Sequence, residues 1–170
     1  MAILRITKHG ETVLKKPSEP FDFPKGVEGL PALLEDMWAT MYAANGVGLA
    51  APQIGINLRV AVIDVRPEEK PQRLVLINPE ILSQEGSVDE EEGCLSVPGL
   101  YSKIKRHARV RVRAFDEKGK RWEMTGQGLL ARAFQHEIDH LDGKLFIDRL
   151  GLAQRLKVSG ILKDLKKTWN

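Results

Sequence analysis

The sequence predicts an α+β fold, with antiparallel strands packed around a central metal-binding helix and a C-terminal helix closing the chain. Three observations predict it. Short β-branched apolar runs come first and the late helical patterns follow, an order that favours segregated strands over a parallel βαβ sheet. Val110, Val112 and Ala114 alternate with Arg109, Arg111 and Arg113, the period of two expected of a strand with one buried face. Near residue 136, apolar side chains recur at helical spacing around two histidines four residues apart. The chain has 170 residues and no repeat or Ser/Gly/Pro-rich linker, so one domain over 1–170 is expected.

The elements follow in order. Pro17, Pro20 and Pro24 make the first thirty residues an arm that wraps the surface. Leu30, Leu33, Leu34, Met37 and Met41 share one face of a helix over 31–44, which Pro31 can open and Asn45-Gly46 can stop. A Gly-rich segment leads into strands at 60–65 and 74–77, the second ended by Asn78-Pro79. After the Arg/Val strand, 116–119 form a turn and 121–125 return as a hairpin partner. Leu130, Phe134, Ile138 and Leu141 define a helix over 129–141, with Gly143 beyond it. A last helix is expected at 153–167, with Leu156, Ile161, Leu162 and Leu165 inward and Gly160 weakening its interior.

Composition narrows the class. A hydrophobic fraction of 42% and a charged fraction of 29% exclude disordered and collagen-like chains. The net charge of +3 is compatible with RNA-rich surroundings without demonstrating nucleic-acid binding. No stretch approaches the roughly 18 apolar residues of a membrane span, and residues 1–16 lack a signal peptide's apolar region. The lone cysteine, Cys94, cannot form an internal disulfide and suits a reducing cytoplasm.

The chemistry concentrates in His136-Glu137-Ile138-Asp139-His140. Positions four apart on a helix lie about 40° apart around it, so both imidazoles can reach one metal ion with Glu137 beside them. The bland alternative is two solvated or capped histidines on an amphipathic helix, and the ionisable residues of an otherwise apolar helix argue against it. A catalytic site needs a third protein ligand and an open position. Residues 141–170 contain no Glu, His or Cys, so a downstream ligand of the common metalloprotease kind is missing. Upstream, Glu92-Gly93-Cys94-Leu95-Ser96-Val97-Pro98 offers a thiol where Gly93 lets the backbone bend or approach a ligand closely. A lone cysteine is otherwise a small buried hydrophobe. His9 and His107 lack comparable surroundings, leaving Cys94 as the best-placed third donor.

Three segments, 46–53, 92–98 and 135–141, resemble the three motifs of peptide deformylases, in order and at compatible separations over nearly the whole chain. The resemblance implies a metal-dependent hydrolase that removes the N-formyl group from the formyl-methionine of new polypeptides and releases formate. It implies metal ligation by Cys94, His136 and His140, with Fe(2+) the expected native ion and Zn(2+), Ni(2+) or Co(2+) able to replace it. Glu137 matches the proton-transfer glutamate, and the Gln53 amide and Leu95 N–H match the donors to the tetrahedral intermediate. The peptide is expected to pair with backbone at Val47 and Gly48, Gly93 to contact the substrate as well, and the methionine to meet Val47, Leu129, Ala133 and the His136 ring. Some family members carry arginine where this chain has Tyr101, which bears on the outer peptide contacts. Arg132 is expected at the pocket rim or in solvent, and the acidic run 89–92 as a mostly solvated loop, except that Glu92 is expected to pair with a strand arginine, Arg106 first. The basic last helix, with Arg155, Lys157, Lys163, Lys166 and Lys167, either touches ribosomal RNA or is simply solvated. A cytoplasmic monomer without membrane contact is the matching picture. The competing readings are a small zinc endopeptidase and a non-catalytic metal-stabilised binding module, the latter requiring a fourth protein ligand.

Overall fold

The computed structural model describes residues 1–169. Strands β1 (Gly48–Ala50), β2 (Val60–Ile63) and β3 (Leu74–Glu85) join β6 (Arg109–Phe115) and β7 (Arg121–Gln127) in one antiparallel sheet, ordered β1-β2-β3-β6-β7. Strands β4 (Val88–Gly93) and β5 (Tyr101–Arg106) form a separate hairpin. The helices are a short α1 (Phe23–Gly26), α2 (Leu30–Ala43), α3 (Gly128–Leu141) and the C-terminal α4 (Leu152–Lys166). The architecture is mixed helix and antiparallel sheet, as expected.

Helix α2 buries Leu30, Leu34, Met37, Trp38 and Met41 against Leu49, Val60 and Val62 of the edge strands. Asn45 then takes a positive φ of 57°, a left-handed turn that asparagine tolerates and that redirects the chain into β1. Helix α3 lays Ala133, Phe134, Ile138 and Leu141 on the sheet, against Ala50, Ala61, Ile63, Leu76, Val112 and Ala114. Burial of this kind contributes roughly 1.5–3 kcal/mol per large apolar side chain. It leaves the histidine-bearing side of α3 to face the β4–β5 hairpin and the loop after β4.

Three expectations are corrected. Strand β3 does not end at Asn78-Pro79 but runs on to Glu85, because a register shift between Ile77 and Glu80 absorbs the proline. Asn78 adopts a φ of 50° there, and its amide bonds both main-chain groups of Phe21, tying the N-terminal arm to the bulge. The acidic run at 89–92 is strand β4 rather than a solvated loop: Asp89 and Glu91 stand opposite Lys105 and Lys103, cross-strand partners of opposite charge. On α4, Leu156 is 68% exposed and Ile161 is also exposed, whereas Val158 and Leu162 are buried. The helix meets the third core cluster through a narrower stripe than its leucines suggest.

Candidate metal centre

Helix α3 brings His136 and His140 one turn apart, with their Nε2 atoms 3.2 Å from each other. The loop after β4 delivers Cys94, whose Sγ lies 3.3 Å from His140 Nε2. The three donor atoms all fall within 4.8 Å of one another. Thiolate and imidazole ligands arranged tetrahedrally about one ion stand roughly 3.3–3.6 Å apart, from bond lengths of about 2.0–2.3 Å. The donors therefore fit one divalent cation. Among the described residues no further His, Cys, Asp or Glu joins the group, so the set has the three protein ligands of an open site rather than the four of a closed structural one.

Glu137 lies beside this triad, buried, and its Oε1 has no hydrogen-bond partner among the described residues. Burial pushes its carboxyl up to about 7; Glu92 adds to the rise, and His136 opposes it. Gly48 is explained by the same group, because a Cβ there would collide with the Glu137 carboxylate. Gly93 has its own reason: a Cβ would lie 2.6 Å from the Tyr101 ring across the hairpin.

A buried charge network holds the histidines. His136 Nδ1 donates to Glu92 Oε2 at 2.7 Å. Arg106 grips the same carboxylate with two bonds, Nε to Oε1 at 3.1 Å and Nη2 to Oε2 at 2.7 Å, and reaches Asp139 with Nη1 at 2.6 Å. Glu92 thus pairs with Arg106, the first candidate from sequence. Arg132 lines the cleft, as one of its two expected placements has it, but it is buried rather than solvated: its Nη1 bonds Glu92 Oε1 at 3.0 Å and the Ile104 carbonyl at 3.1 Å. Arg149 closes the network on Asp139. Burial resists charge on Glu92, but the hydrogen bonds from His136 and Arg106 outweigh it and hold the carboxyl far below its ordinary range. Burial also opposes charge on His136, yet the Cys94 and Glu92 partners raise its pKa well above normal. Burial, helped by the neighbouring His136 charge, drives His140 well down. Ligation needs neutral rings and a thiolate, so protons and a cation compete for this pocket.

Gln53 is buried in the turn after β1. Its Oε1 accepts the Ala50 N–H at 3.0 Å, and its Nε2 donates to Ser96 Oγ at 3.1 Å and points to Cys94 Sγ at 3.6 Å. The amide bonds its own loop and faces the metal donors at once. The Leu95 N–H makes no hydrogen bond among the described residues.

A cleft of about 500 Å³ opens over these groups. Val47, Gly48, Gln53, Gly93, Cys94, Leu95, Leu129, Ala133, His136 and Glu137 line it; His140 sits beneath. The residues that sequence reasoning missed are Ser96, which holds Gln53, and Leu100, which adds apolar wall. Ser96 belongs to the 92–98 segment, but nothing in its spacing announces a partner 43 residues away.

A buried helix bearing two imidazoles and a glutamate, a thiol from a preceding loop and a cleft above them define a metallohydrolase built on an α+β frame. Residues 3–156 match the sequence model of the polypeptide deformylase family. The chain is 51% identical over 156 residues to the peptide deformylase of Thermodesulfovibrio yellowstonii, covering 91% of this chain and 93% of that protein. It is 46% identical over 165 residues to that of Alkalilimnicola ehrlichii, covering 97% and 92%. A crystal structure of a peptide deformylase from Legionella pneumophila superposes with a TM-score of 0.90 at 46% identity, over 98% of this chain and 97% of that one. The chain belongs to the polypeptide deformylase family: it is a metal-dependent hydrolase acting on the N-formyl group of nascent peptides. The endopeptidase and binding-module readings are not favoured.

Proposed function

We propose that Cys94, His136 and His140 hold the metal ion and that Glu137 carries the proton through the deformylation of N-formyl-methionyl peptides. The observation that carries this reading is the convergence of those three donors beside a buried carboxylate with a free oxygen. A divalent cation bound there supplies Lewis acidity, polarising the formyl carbonyl and acidifying water. Fe(2+) is the proposed native ion, and the mixed sulfur and nitrogen set also suits Zn(2+), Ni(2+) and Co(2+).

Glu137 takes the proton of the attacking water and returns it to the departing amine, one carboxylate serving first as base and then as acid. The Gln53 Nε2 and the Leu95 N–H face the charge that develops on the formyl oxygen. The peptide docks on the free edge of β1. Val47 gives its carbonyl to the Asp64 N–H at 2.8 Å, on the β2 side, so by alternation the Gly48 groups point outward. Ala50, the next outward residue, already donates its N–H to Gln53, which leaves Gly48 as the pairing position. Val47, Gly93, Leu129, Ala133 and the His136 ring form the methionine pocket.

Residues 1–170 act as one catalytic domain, a monomer working in the cytoplasm. Among the described residues no helix is long and apolar enough to cross a membrane. The exposed basic residues of α4 suit contact with ribosomal RNA, which would place the enzyme near its substrate.

The test uses anaerobically purified, iron-loaded protein with a formyl-methionyl peptide and an unblocked internal peptide. Formate is released from the first and the second stays intact. Glu137→Gln retains one metal per chain and loses about 10²–10⁴-fold in kcat. Undiminished turnover by that variant would remove Glu137 from its role.

A further inference from the structure

The two oxyanion donors assigned above come from loops more than forty residues apart, the turn after β1 and the loop after β4. Two side-chain contacts of the Gln53 Nε2, to Ser96 Oγ at 3.1 Å and to Cys94 Sγ at 3.6 Å, join them directly. A second connection runs through the N-terminal arm. The Thr7 N–H donates to the Gln53 carbonyl at 2.7 Å, and the Thr7 hydroxyl donates to the Pro52 carbonyl at 3.0 Å. Two residues on, the His9 N–H donates to the Ser96 carbonyl at 2.9 Å. One short segment therefore grips both loops, and neither Thr7 nor His9 lines the cleft. Thr7 is 4% exposed, Gln53 2% and Ser96 0%, so each of these bonds is shielded from water.

We propose that Thr7 is a positioning residue for the hydrolysis: the 7–9 segment clamps the Gln53 turn to the Leu95–Ser96 loop and sets the separation of the two oxyanion donors. The proposal rests on Gln53 and Leu95 being those donors. Thr7 touches neither substrate nor metal ligands; it acts through the main chain of Pro52 and Gln53. Its hydroxyl is the only adjustable part of the clamp, because the other two contacts are main chain to main chain. Such a clamp acts on kcat rather than on peptide binding, since the β1 edge at Gly48 lies outside it, and misplacement of a donor by a fraction of an ångström is felt in the transition state.

The test is a double-mutant cycle on the metal-loaded enzyme, comparing wild type, Thr7→Val, Gln53→Ala and the pair with a formyl-methionyl peptide. Thr7→Val keeps shape and main-chain bonds and removes only the hydroxyl. It is expected to lower kcat about tenfold with KM and metal content unchanged. Thr7→Ser is expected to restore kcat to within about twofold. In the Gln53→Ala background, Thr7→Val is expected to change kcat by less than about twofold, because its target is gone. Wild-type kcat in Thr7→Val well below its melting temperature would overturn the proposal, as would the same loss in both backgrounds or a loss carried by KM or metal content. Were Thr7→Val insoluble, Thr7→Ala enters the same cycle with the same criteria. Full kcat in Gln53→Ala would sink the donor assignment and the clamp with it, while leaving the deformylase activity standing.

Discussion

Arginine–carboxylate pairs occur in two regions of this protein, and the surroundings give them different work. Beside the metal centre, the Arg106 side chain is 2% exposed and its Glu92 partner 6%. On the outer face of the sheet, Arg111 is 45% exposed and its Glu123 partner 36%, with Arg113 and Glu80 in the same ladder. Both sets have direct contacts of similar geometry. In water the outer pairs gain about 0–1 kcal/mol, since solvent competes and the long side chains lose freedom. In the buried set, desolvating each charge costs several kcal/mol, roughly offset by the partners, so the net gain is small but the loss of one member is severe. The inner network is therefore a positioning device: it fixes the Glu92 carboxylate against His136 Nδ1, and with it the ring proposed to hold the metal.

The largest effect is expected from Arg106→Ala, which strands Glu92 and Asp139 without their shared cation. Denaturant unfolding should show a loss of about 3–5 kcal/mol. A loss under 1 kcal/mol would mean that the inner pairs behave like the outer ones. Next comes Glu92→Gln, which keeps the shape but weakens the acceptor that orients His136. Metal affinity, read by competition with a chelator, should fall roughly 10–100-fold. Unchanged affinity would reduce Glu92 to a structural anchor. The smallest effect belongs to Arg111→Ala, expected to cost less than about 1 kcal/mol and to shrink further at high salt. A larger, salt-insensitive cost would erase the contrast between the regions.

The two regions also differ in how far the sequence revealed them. The outer ladder was plain, since Arg109, Arg111 and Arg113 alternate with buried residues and period-two patterning needs no tertiary knowledge. The metal helix was plain for another reason: two histidines and a glutamate carry their chemistry within five residues. Cys94 followed from the shortage of other donors. The partners of Arg132 were not legible because its bonds to Glu92 and Ile104 span 40 and 28 residues, and no local period encodes such a meeting. Strand β4 was missed because its acidic residues look solvated until the hairpin supplies Lys103 and Lys105 on one face and Arg132 on the other. The end placed at Asn78 failed because a bulge, stabilised by Phe21 from a distant arm, overrides the usual meaning of Asn-Pro. The inward face of α4 was set too wide, because Leu156 and Ile161 are exposed while Val158 and Leu162, four residues apart, are buried, with Leu165 partly buried against the same cluster.

X-ray absorption on the zinc-loaded protein reads the proposed ligand set itself. One sulfur at about 2.3 Å and a nitrogen/oxygen shell at about 2.0–2.1 Å that includes two imidazoles are expected. A spectrum without sulfur, or with a fourth protein donor closing the shell, would contradict it.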